Sequence, residues 1–448
     1  MKHQDDMKKI IVLGAGLSSS SLINYLIENA AHCEWVVTVA DANKQLAESK
    51  IGNHSNATAI QLNADDPYEM QHTISQFDLV ISLLPPHMHM GAAKACLQHK
   101  KHLITASYVS DEMRHLHTEA IKSGLLFLNE CGLDPGIDHM SAMKVIHEIQ
   151  QKGGVIDLFK SFCGGLVAPE FDDNPWHYKF TWNPRNVILA GQATASYLEN
   201  GELKYIPPLR IFSQTAQIRF SDTLTFDAYA NRDSLSYIKP YGITSAHTVL
   251  RGTLRGAGFC EAWNLIVKLG LADDQLKLED ADKITYRKWL NAFVPGSGLN
   301  QLEQRLCDFL QIDLTSEVFS KLNWLGIFDE TSIPLRSATS AQILQHLLQQ
   351  KWKLQKGELD MIVMQHQFQY TQDEKQHYKT SSLLVKGENE VHTAMAKTVG
   401  LPMGIAAKLV LQGKLNLKGV QIPIMPELYQ PVLKELEELG IVFEEAEN

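Results

Sequence analysis

The first third of the chain alternates short apolar runs with segments of helical spacing. The runs are Ile10–Leu13, Trp35–Ala40, Thr58–Leu62, Asp78–Leu84, His102–Ala106 and Leu125–Leu128. Most are continuous rather than alternating, as a strand buried on both faces requires. Between them apolar residues recur every three or four positions, as in Leu17, Leu22, Tyr25 and Leu26 after the first run. Strand and helix taking turns over 1–140 predict an α/β fold, a doubly wound parallel sheet of Rossmann type.

Beyond it the pattern changes. Leu158–Phe162, Leu224–Tyr229 and Thr248–Leu250 are short apolar runs separated by glycine and proline loops, which predicts a mixed α+β sheet over 141–260. From Glu261 to Gln349 the spacing is helical, as in Leu302–Leu310, and predicts a separate helical lobe. Asp360–Tyr370 and Thr380–Val385 read as a strand pair returning, within 350–390, to the mixed sheet. Val391–Gly413 reads as amphipathic helix interrupted around Pro402, and 391–448 is expected to dock back on the first domain. The acidic end, Glu435–Asn448, reads as a solvated helix and tail.

The first turn carries candidate chemistry. Gly14 permits a tight turn after the first strand, and Gly16 lets a pyrophosphate approach the backbone at the start of a helix. Ser19 stands where the usual fingerprint has a third glycine. Asp41 closes the second strand, placed to bond the ribose hydroxyls of NAD and to repel the extra phosphate of NADP. After the third strand, Asn63-Ala-Asp-Asp66 lies where an adenine is held in such folds, and Asp66-Pro67 reads as N-cap and first residue of a helix. Gly14, Asp41, Leu84, Tyr108 and Asp134 all fall at or just past strand carboxyl ends, where open α/β sheets bind ligands.

Bulk properties narrow the choice. The 448 residues are enough for two or three domains. A net charge of -10 argues against a general nucleic-acid binder. Cys33, Cys96, Cys131, Cys163, Cys260 and Cys307 form no Cys-x-x-Cys pair, which suits reduced thiols in a cytoplasmic protein. The N-terminus, Met1-Lys-His-Gln-Asp-Asp-Met7, reads as no signal peptide, and no apolar run approaches the roughly 20 residues of a membrane span. His87, His89, His115 and His117 lack neighbours that would complete a metal site and read as loop and helix residues. No metal, membrane or nucleic-acid partner is expected; a small-molecule substrate and a homodimer are.

At Asn129-Glu-Cys-Gly-Leu-Asp-Pro-Gly-Ile-Asp-His139 the chain resembles the saccharopine dehydrogenase family, in its glutamate-forming branch, saccharopine reductase. Phe162-Cys-Gly-Gly-Leu166, Ala168-Pro-Glu170, Asp173-Asn-Pro175, Tyr178-Lys-Phe180, Asn231-Arg-Asp-Ser234 and Arg251-Gly-Thr-Leu-Arg255 are similar to its middle segment. Met395-Ala-Lys-Thr-Val-Gly400 and Ala406-Ala-Lys-Leu-Val-Leu-Gln-Gly413 resemble its closing helix. The resemblance implies an oxidoreductase of lysine metabolism that interconverts saccharopine with L-glutamate and 2-aminoadipate 6-semialdehyde, using NAD or NADP.

By the same resemblance Ala15, Gly16, Leu17 and Ser18 hold the pyrophosphate, Asp41 the adenosine ribose, and Asn63 and Ala64 the adenine. Leu84 borders the nicotinamide side, with Leu133, Asp134, Pro135, Gly136, Ile137, Asp138, His139, Met140 and Asn183. Ser107, Tyr108, Arg232, Thr253, Leu254 and Arg255 hold saccharopine. Fungal members carry Cys-Arg-Thr where this chain has Asp41-Ala-Asn43, so an acid replaces the arginine suited to a 2′-phosphate, and NAD is the expected cofactor.

Oxidising a carbon next to nitrogen needs an unprotonated amine, and hydrolysing the imine needs a base for water and an acid for the departing amine. Asp134, after a strand end, is one candidate for this proton traffic; a turn-capping role fits its position equally well. Tyr108 is a better donor than base, with a free phenol pKa near ~10. Cys163 titrates only if a cation lowers its pKa, and otherwise fills space. The three carboxylates of saccharopine suit arginine, with Arg232 and Arg255 the candidates; Arg251 shares a face with Arg255 in strand and helix alike. Two other readings stand beside this one: a reductive-amination enzyme like carboxynorspermidine dehydrogenase, and a catalytically silent dinucleotide-sensing protein.

Overall fold

The structure, a computed structural model, describes residues 7–448. The N-terminal segment read as no signal peptide therefore lies, but for Met7, outside the described residues. The chain forms two compact units, Met1–Gly154 with Leu383–Glu445, and Val155–Ser382 with Ala446–Asn448. The boundaries differ from the 140 and 391 expected, because the first unit keeps the whole of the helix Ile137–Gln151.

In the first unit the predicted strands are β1 (Lys8–Leu13), β2 (Trp35–Asp41), β3 (Ala57–Gln61), β4 (Leu79–Ser82), β5 (His102–Thr105) and β6 (Leu126–Leu128). They lie parallel in the order β6-β5-β4-β1-β2-β3, with the short strand Gly419–Gln421 added outside β6. That seventh strand, Gly-Val-Gln, has no apolar run to announce it. The chain moves outward from β1 to β3, then returns to lay β4, β5 and β6 on the other side. This switch point opens a crevice at the carboxyl ends of β1 and β4, next to Gly14 and Leu84.

The helix Ser20–Glu28 follows the glycine turn and buries Leu22, Ile23, Tyr25, Leu26 and Ile27. Against it lies the helix Ala394–Leu411, which runs unbroken through Pro402. The expected interruption does not occur. Proline in a helix costs about 3 kcal/mol, and burial along nearly the whole length of this helix offsets it. This helix is long and apolar enough to cross a membrane, but 72% of it is buried inside the fold. Its closest approach is through glycine: a Cβ on Gly400 would stand 2.7 Å from the Leu22 amide nitrogen, and one on Gly404 would stand 2.6 Å from the Tyr25 ring. Gly400→Ala is expected to push the two helices apart, lower stability by about 1–3 kcal/mol and reduce the melting temperature. An unchanged melting curve would show that the packing relaxes without cost.

Glu435 is not solvated as expected. It lies in the helix Pro426–Glu438 and accepts hydrogen bonds from Tyr25 Oη and Lys408 Nζ, each at 2.5 Å.

The second unit is built on strands β7 (Val155–Val167), β8 (Ala195–Glu199), β9 (Glu202–Ile206), β10 (Thr215–Arg219), β11 (Thr225–Ala230) and β12 (Thr248–Arg255). A minor pair follows, β13 (Lys277–Glu279) and β14 (Ser337–Thr339), then β15 (Asp360–Gln372) and β16 (Lys375–Lys386). The main order is β10-β11-β12-β7-β15-β16, with Phe443–Glu447 beyond it and β8 and β9 paired off β12. β12 is parallel to β7, while β11 and β15 are antiparallel to their neighbours, so the sheet is mixed as expected. Asp373 and Glu374, both at positive φ, make the two-residue turn between β15 and β16.

No separate helical lobe forms. Phe259, Trp263, Trp289, Leu306, Leu347 and Trp352 share one apolar core with Phe162, Leu166 and Leu254 of the sheet. The amphipathic helices need a surface on which to bury their apolar stripes, and the sheet face supplies it. Nor is the C-terminus a free tail: Glu447 accepts a hydrogen bond from Tyr370 Oη at 2.5 Å, and the Tyr378 and Asn448 backbones pair.

Candidate active site

The glycine corner of the first unit has the predicted geometry with two local differences. Gly14 sits at φ +100°, and a Cβ there would meet the Leu83 carbonyl at 3.1 Å. Ser19, in place of the third glycine, is buried and its hydroxyl donates back to the Gly16 carbonyl at 2.8 Å. Leu17 projects outward, 66% exposed, where a helix start leaves amides without intrahelical partners. Ala15 differs from the expected pyrophosphate contact. Its N–H already donates to Asp41 Oδ2 at 2.8 Å, while Asp41 Oδ1 accepts from the Asn43 amide at 2.9 Å. The corner thus holds the half-buried Asp41 carboxylate at the end of β2, fit for a pair of ribose hydroxyls.

Asn63 is exposed, its Oδ1 accepting from the Asp65 amide at 3.2 Å, and Ala64 is half-buried beside it. Asp66 caps the helix Pro67–Ile74 through the amides of Tyr68 and Glu69, as its pattern predicts. Leu84 is half-buried at the end of β4.

The loop after β6 is the most tightly held part of this unit. Every residue from Leu125 to Met143 is buried except Asp134. Gly136 has φ +150°, and a Cβ there would overlap the Gly132 carbonyl, so only glycine fits. Asp138 Oδ1 accepts from the Gly136 amide at 2.6 Å, and the Asp138 amide donates to the Leu133 carbonyl at 3.1 Å. Glu130 accepts from the Val109 amide at 2.9 Å through Oε1 and bonds His139 Nε2 at 2.8 Å through Oε2. Asp134 stands at the tip, with Tyr108 Oη donating to it across 3.4 Å.

The stretch expected to border the cofactor is thus largely buried. Ile137, Asp138, His139 and Met140 are the buried first turn of a helix, and Leu133, Pro135 and Gly136 are buried with them. They hold the loop, and Asp134 alone presents its side chain. Asn183, in the second unit, caps the helix Pro184–Leu189 by accepting from the Arg185 amide at 3.0 Å.

His89, read from the sequence as an unremarked helix-start residue, is buried between Ser82 Oγ at 2.9 Å and Ser107 Oγ at 2.6 Å. Burial, with the nearby His87, pushes its pKa down to about 4.

In the second unit Tyr229, Thr253 and Cys163 stand side by side in register across β11, β12 and β7. Arg255, two residues beyond Thr253, is 4% exposed. Its guanidinium lies among the rings of Tyr178, Phe259 and Tyr229, with Cζ 5.3 to 5.8 Å from their centroids. One terminal nitrogen donates to the Leu254 carbonyl at 2.9 Å and the other to Tyr229 Oη at 3.3 Å. Arg255 Nε and Tyr178 Oη, both buried, have no hydrogen-bond partner. Among the described residues no carboxylate bonds this guanidinium. A buried cation so placed is built to receive an anion.

Leu254 and Arg232 are placed differently from Arg255. Strand alternation turns Leu254 away from Thr253 and Arg255, into the apolar core. Arg232 is exposed, in a left-handed backbone conformation at φ +53°, and its carbonyl accepts from the Ser196 amide. Arg251 is instead buried, stacked 4.3 Å over the Tyr237 ring.

Sequence reasoning missed His89, Glu130 and Tyr229 as site residues. His89 and Ser107, or Glu130 and Val109, meet across strands and loops, and no local spacing marks such pairs.

Two family models match the chain: the saccharopine dehydrogenase NADP binding domain over residues 10–128 and the saccharopine dehydrogenase C-terminal domain over 132–441. The chain is 34% identical to saccharopine dehydrogenase [NADP(+), L-glutamate-forming] of Schizosaccharomyces pombe, covering 98% of this chain and 99% of that protein. It is 34% identical to the mouse mitochondrial alpha-aminoadipic semialdehyde synthase, over 97% of this chain but only 47% of that longer protein, so it spans about half its length. The apo structure of Saccharomyces cerevisiae saccharopine dehydrogenase (L-Glu forming) is similar over 98% of this chain and 100% of that one, with a TM-score of 0.88 and 32% identity.

Proposed function

The chain belongs to the saccharopine dehydrogenase family, and we propose that it is a nicotinamide-dinucleotide-dependent, glutamate-forming saccharopine dehydrogenase. The observation that carries this reading is Arg255: a buried guanidinium with an unpartnered Nε and no carboxylate bonded to it, as a carboxylate-rich substrate requires. A dinucleotide fits the first unit, where the corner at Gly14–Ser19 and the acid at Asp41 stand at the switch point of the sheet.

When bound, the nicotinamide takes up or returns a hydride at the substrate carbon. The chain supplies the rest. The amides of Gly16, Leu17 and Ser18 would hold the pyrophosphate, and Asp41 would hold the ribose hydroxyls. Asp134, steered by the Tyr108 hydroxyl, takes the proton from the secondary amine before oxidation. It releases that proton to solvent, and in the hydrolytic step the regenerated carboxylate takes a proton from the attacking water and passes it to the departing glutamate nitrogen. Arg255, with Thr253, holds a substrate carboxylate, and Cys163 borders Thr253 in register. The test is a saccharopine-dependent absorbance assay with NAD or NADP. Formation of glutamate and 2-aminoadipate 6-semialdehyde supports the proposal, and cofactor binding without turnover overturns it.

The finer choice of cofactor rests on Asp41, and NAD is our reading. A carboxylate fixed by the Ala15 and Asn43 amides cannot turn aside for a 2′-phosphate, whose charge it repels. The relatives named for NADP(+) weigh the other way. Asp41→Ala is expected to raise the KM for NAD about tenfold or more, as loss of a charge-assisted hydrogen bond does, with that for NADP unchanged or lower. Steady-state kinetics with both cofactors checks this. Lower KM for NADP in the unaltered protein, or equal changes in the variant, would remove Asp41 from the ribose site.

A further inference from the structure

At the carboxyl ends of β4 and β5 a buried imidazole is enclosed by hydroxyls. His89 opens the helix His89–His99. Its Nδ1 lies 2.9 Å from Ser82 Oγ and its Nε2 lies 2.6 Å from Ser107 Oγ. Thr105 Oγ1 stands 3.5 Å from both ring nitrogens and accepts from the Ser107 amide at 3.3 Å.

The direction of these bonds follows from Ser82. Its side chain is fully buried, and Nδ1 is the acceptor that its hydroxyl reaches. A buried hydroxyl whose proton finds no acceptor costs about 1–3 kcal/mol, so Ser82 donates to Nδ1. A neutral imidazole has one donor and one acceptor. With Nδ1 accepting, Nε2 carries the hydrogen and donates to Ser107 Oγ. The ring stays neutral near pH 7, since burial holds its pKa at about 4. Ser107 is half-buried, and its oxygen has already accepted. Its own hydrogen is left to donate to something outside this set.

We propose that His89 is a positioning residue: the chain Ser82 to His89 to Ser107 fixes the Ser107 hydroxyl as a donor aimed at a carboxylate oxygen of the amino-acid substrate. The proposal rests on the reading of Ser107 as a substrate residue. It gives the hydroxyl a direction that the residue type lacks, because a serine alone donates or accepts as its surroundings dictate. A ligand donor in place of the carboxylate would leave the Ser107 hydrogen without an acceptor.

The test is steady-state kinetics of the whole protein, with cofactor dissociation constants measured by fluorescence. Ser107→Ala and His89→Leu are each expected to raise the KM for saccharopine about tenfold, with kcat and cofactor affinity little changed. The double variant is expected to be no worse than Ser107→Ala, since both remove one interaction. His89→Gln, whose amide N–H still reaches toward Ser107, is expected to recover most of the loss. Nitrogen-15 spectra of the histidines are expected to show His89 protonated on Nε2 alone. Additive losses in the double variant, or a proton on Nδ1, would overturn the relay. So would a silent His89→Leu beside an impaired Ser107→Ala, which leaves the reading of Ser107 intact. A silent Ser107→Ala overturns that reading and the relay with it. Should His89→Leu fail to fold, Ser82→Ala keeps the imidazole and removes only the hydroxyl that donates to Nδ1. A several-fold rise in the saccharopine KM supports the relay, and an unchanged KM overturns it.

Discussion

Arg255→Met is expected to lower kcat/KM for saccharopine by about 100- to 1000-fold, leave cofactor affinity unchanged, and leave the melting temperature unchanged or raised. The two effects have opposite signs for one reason. The guanidinium is buried among the rings of Tyr178, Tyr229 and Phe259, bonded to a carbonyl and a phenol, with Nε unpartnered. A cation so placed costs stability, and an apolar side chain of similar length relieves that cost. Asp227, opposite Arg255 in register, is not stranded by the change. Its carboxylate keeps the Gln217 amide at 2.6 Å and the Cys260 backbone amide at 3.2 Å. The proposed function has the same guanidinium take a substrate carboxylate, and a charge-assisted bond to a cation so buried is strong. Thermal melts and saccharopine kinetics on one preparation separate the two. A stable variant with unaltered kcat/KM would place the substrate carboxylates elsewhere, and a strongly destabilised one would make Arg255 a structural residue.

Asp134→Asn is expected to lower kcat by about 100-fold or more, with dinucleotide affinity unchanged. Asn keeps the shape and the polar contact to Tyr108 but cannot take up and release a proton. Other groups hold the loop beneath. Gly136, Asp138 and the Glu130–His139 bond hold it, and Asp134 is the one residue between Leu125 and Met143 that is not buried. The Tyr108 hydroxyl stands 3.4 Å away, longer than a firm hydrogen bond, so little folding energy rests on the pair. Stopped-flow oxidation of saccharopine followed by product analysis would show which step suffers. Turnover retained in a folded Asp134→Asn protein would return Asp134 to the turn-capping role that its position equally allows.

The apolar runs announced all six strands from Lys8 to Leu128 within a few residues, because a strand buried on both faces leaves few choices of side chain. The corner at Gly14 was equally legible, since its conformation demands glycine. Composition misled where burial depends on a distant partner. Pro402 seemed to break a helix that packing on Leu22 and Tyr25 keeps whole. The helices between Phe259 and Lys351 seemed a lobe until the sheet supplied their core. Glu435 and Glu447 seemed solvated until Tyr25, Lys408 and Tyr370 were placed beside them.

The sequence by itself determined the sheet, the glycine corner, the acid at Asp41 and the family resemblance, all of which sit in local spacing or in short motifs. Only the tertiary structure decided which candidates are buried, which are exposed and what they bond. It exposed Asp134 and sank Asp138 and His139, buried Arg255 and left Arg232 outside, and set His89 between Ser82 and Ser107. The physical reason is range. Periodicity records which side of an element is buried, while hydrogen-bond partners are fixed by strand order and register, which join residues far apart in the chain.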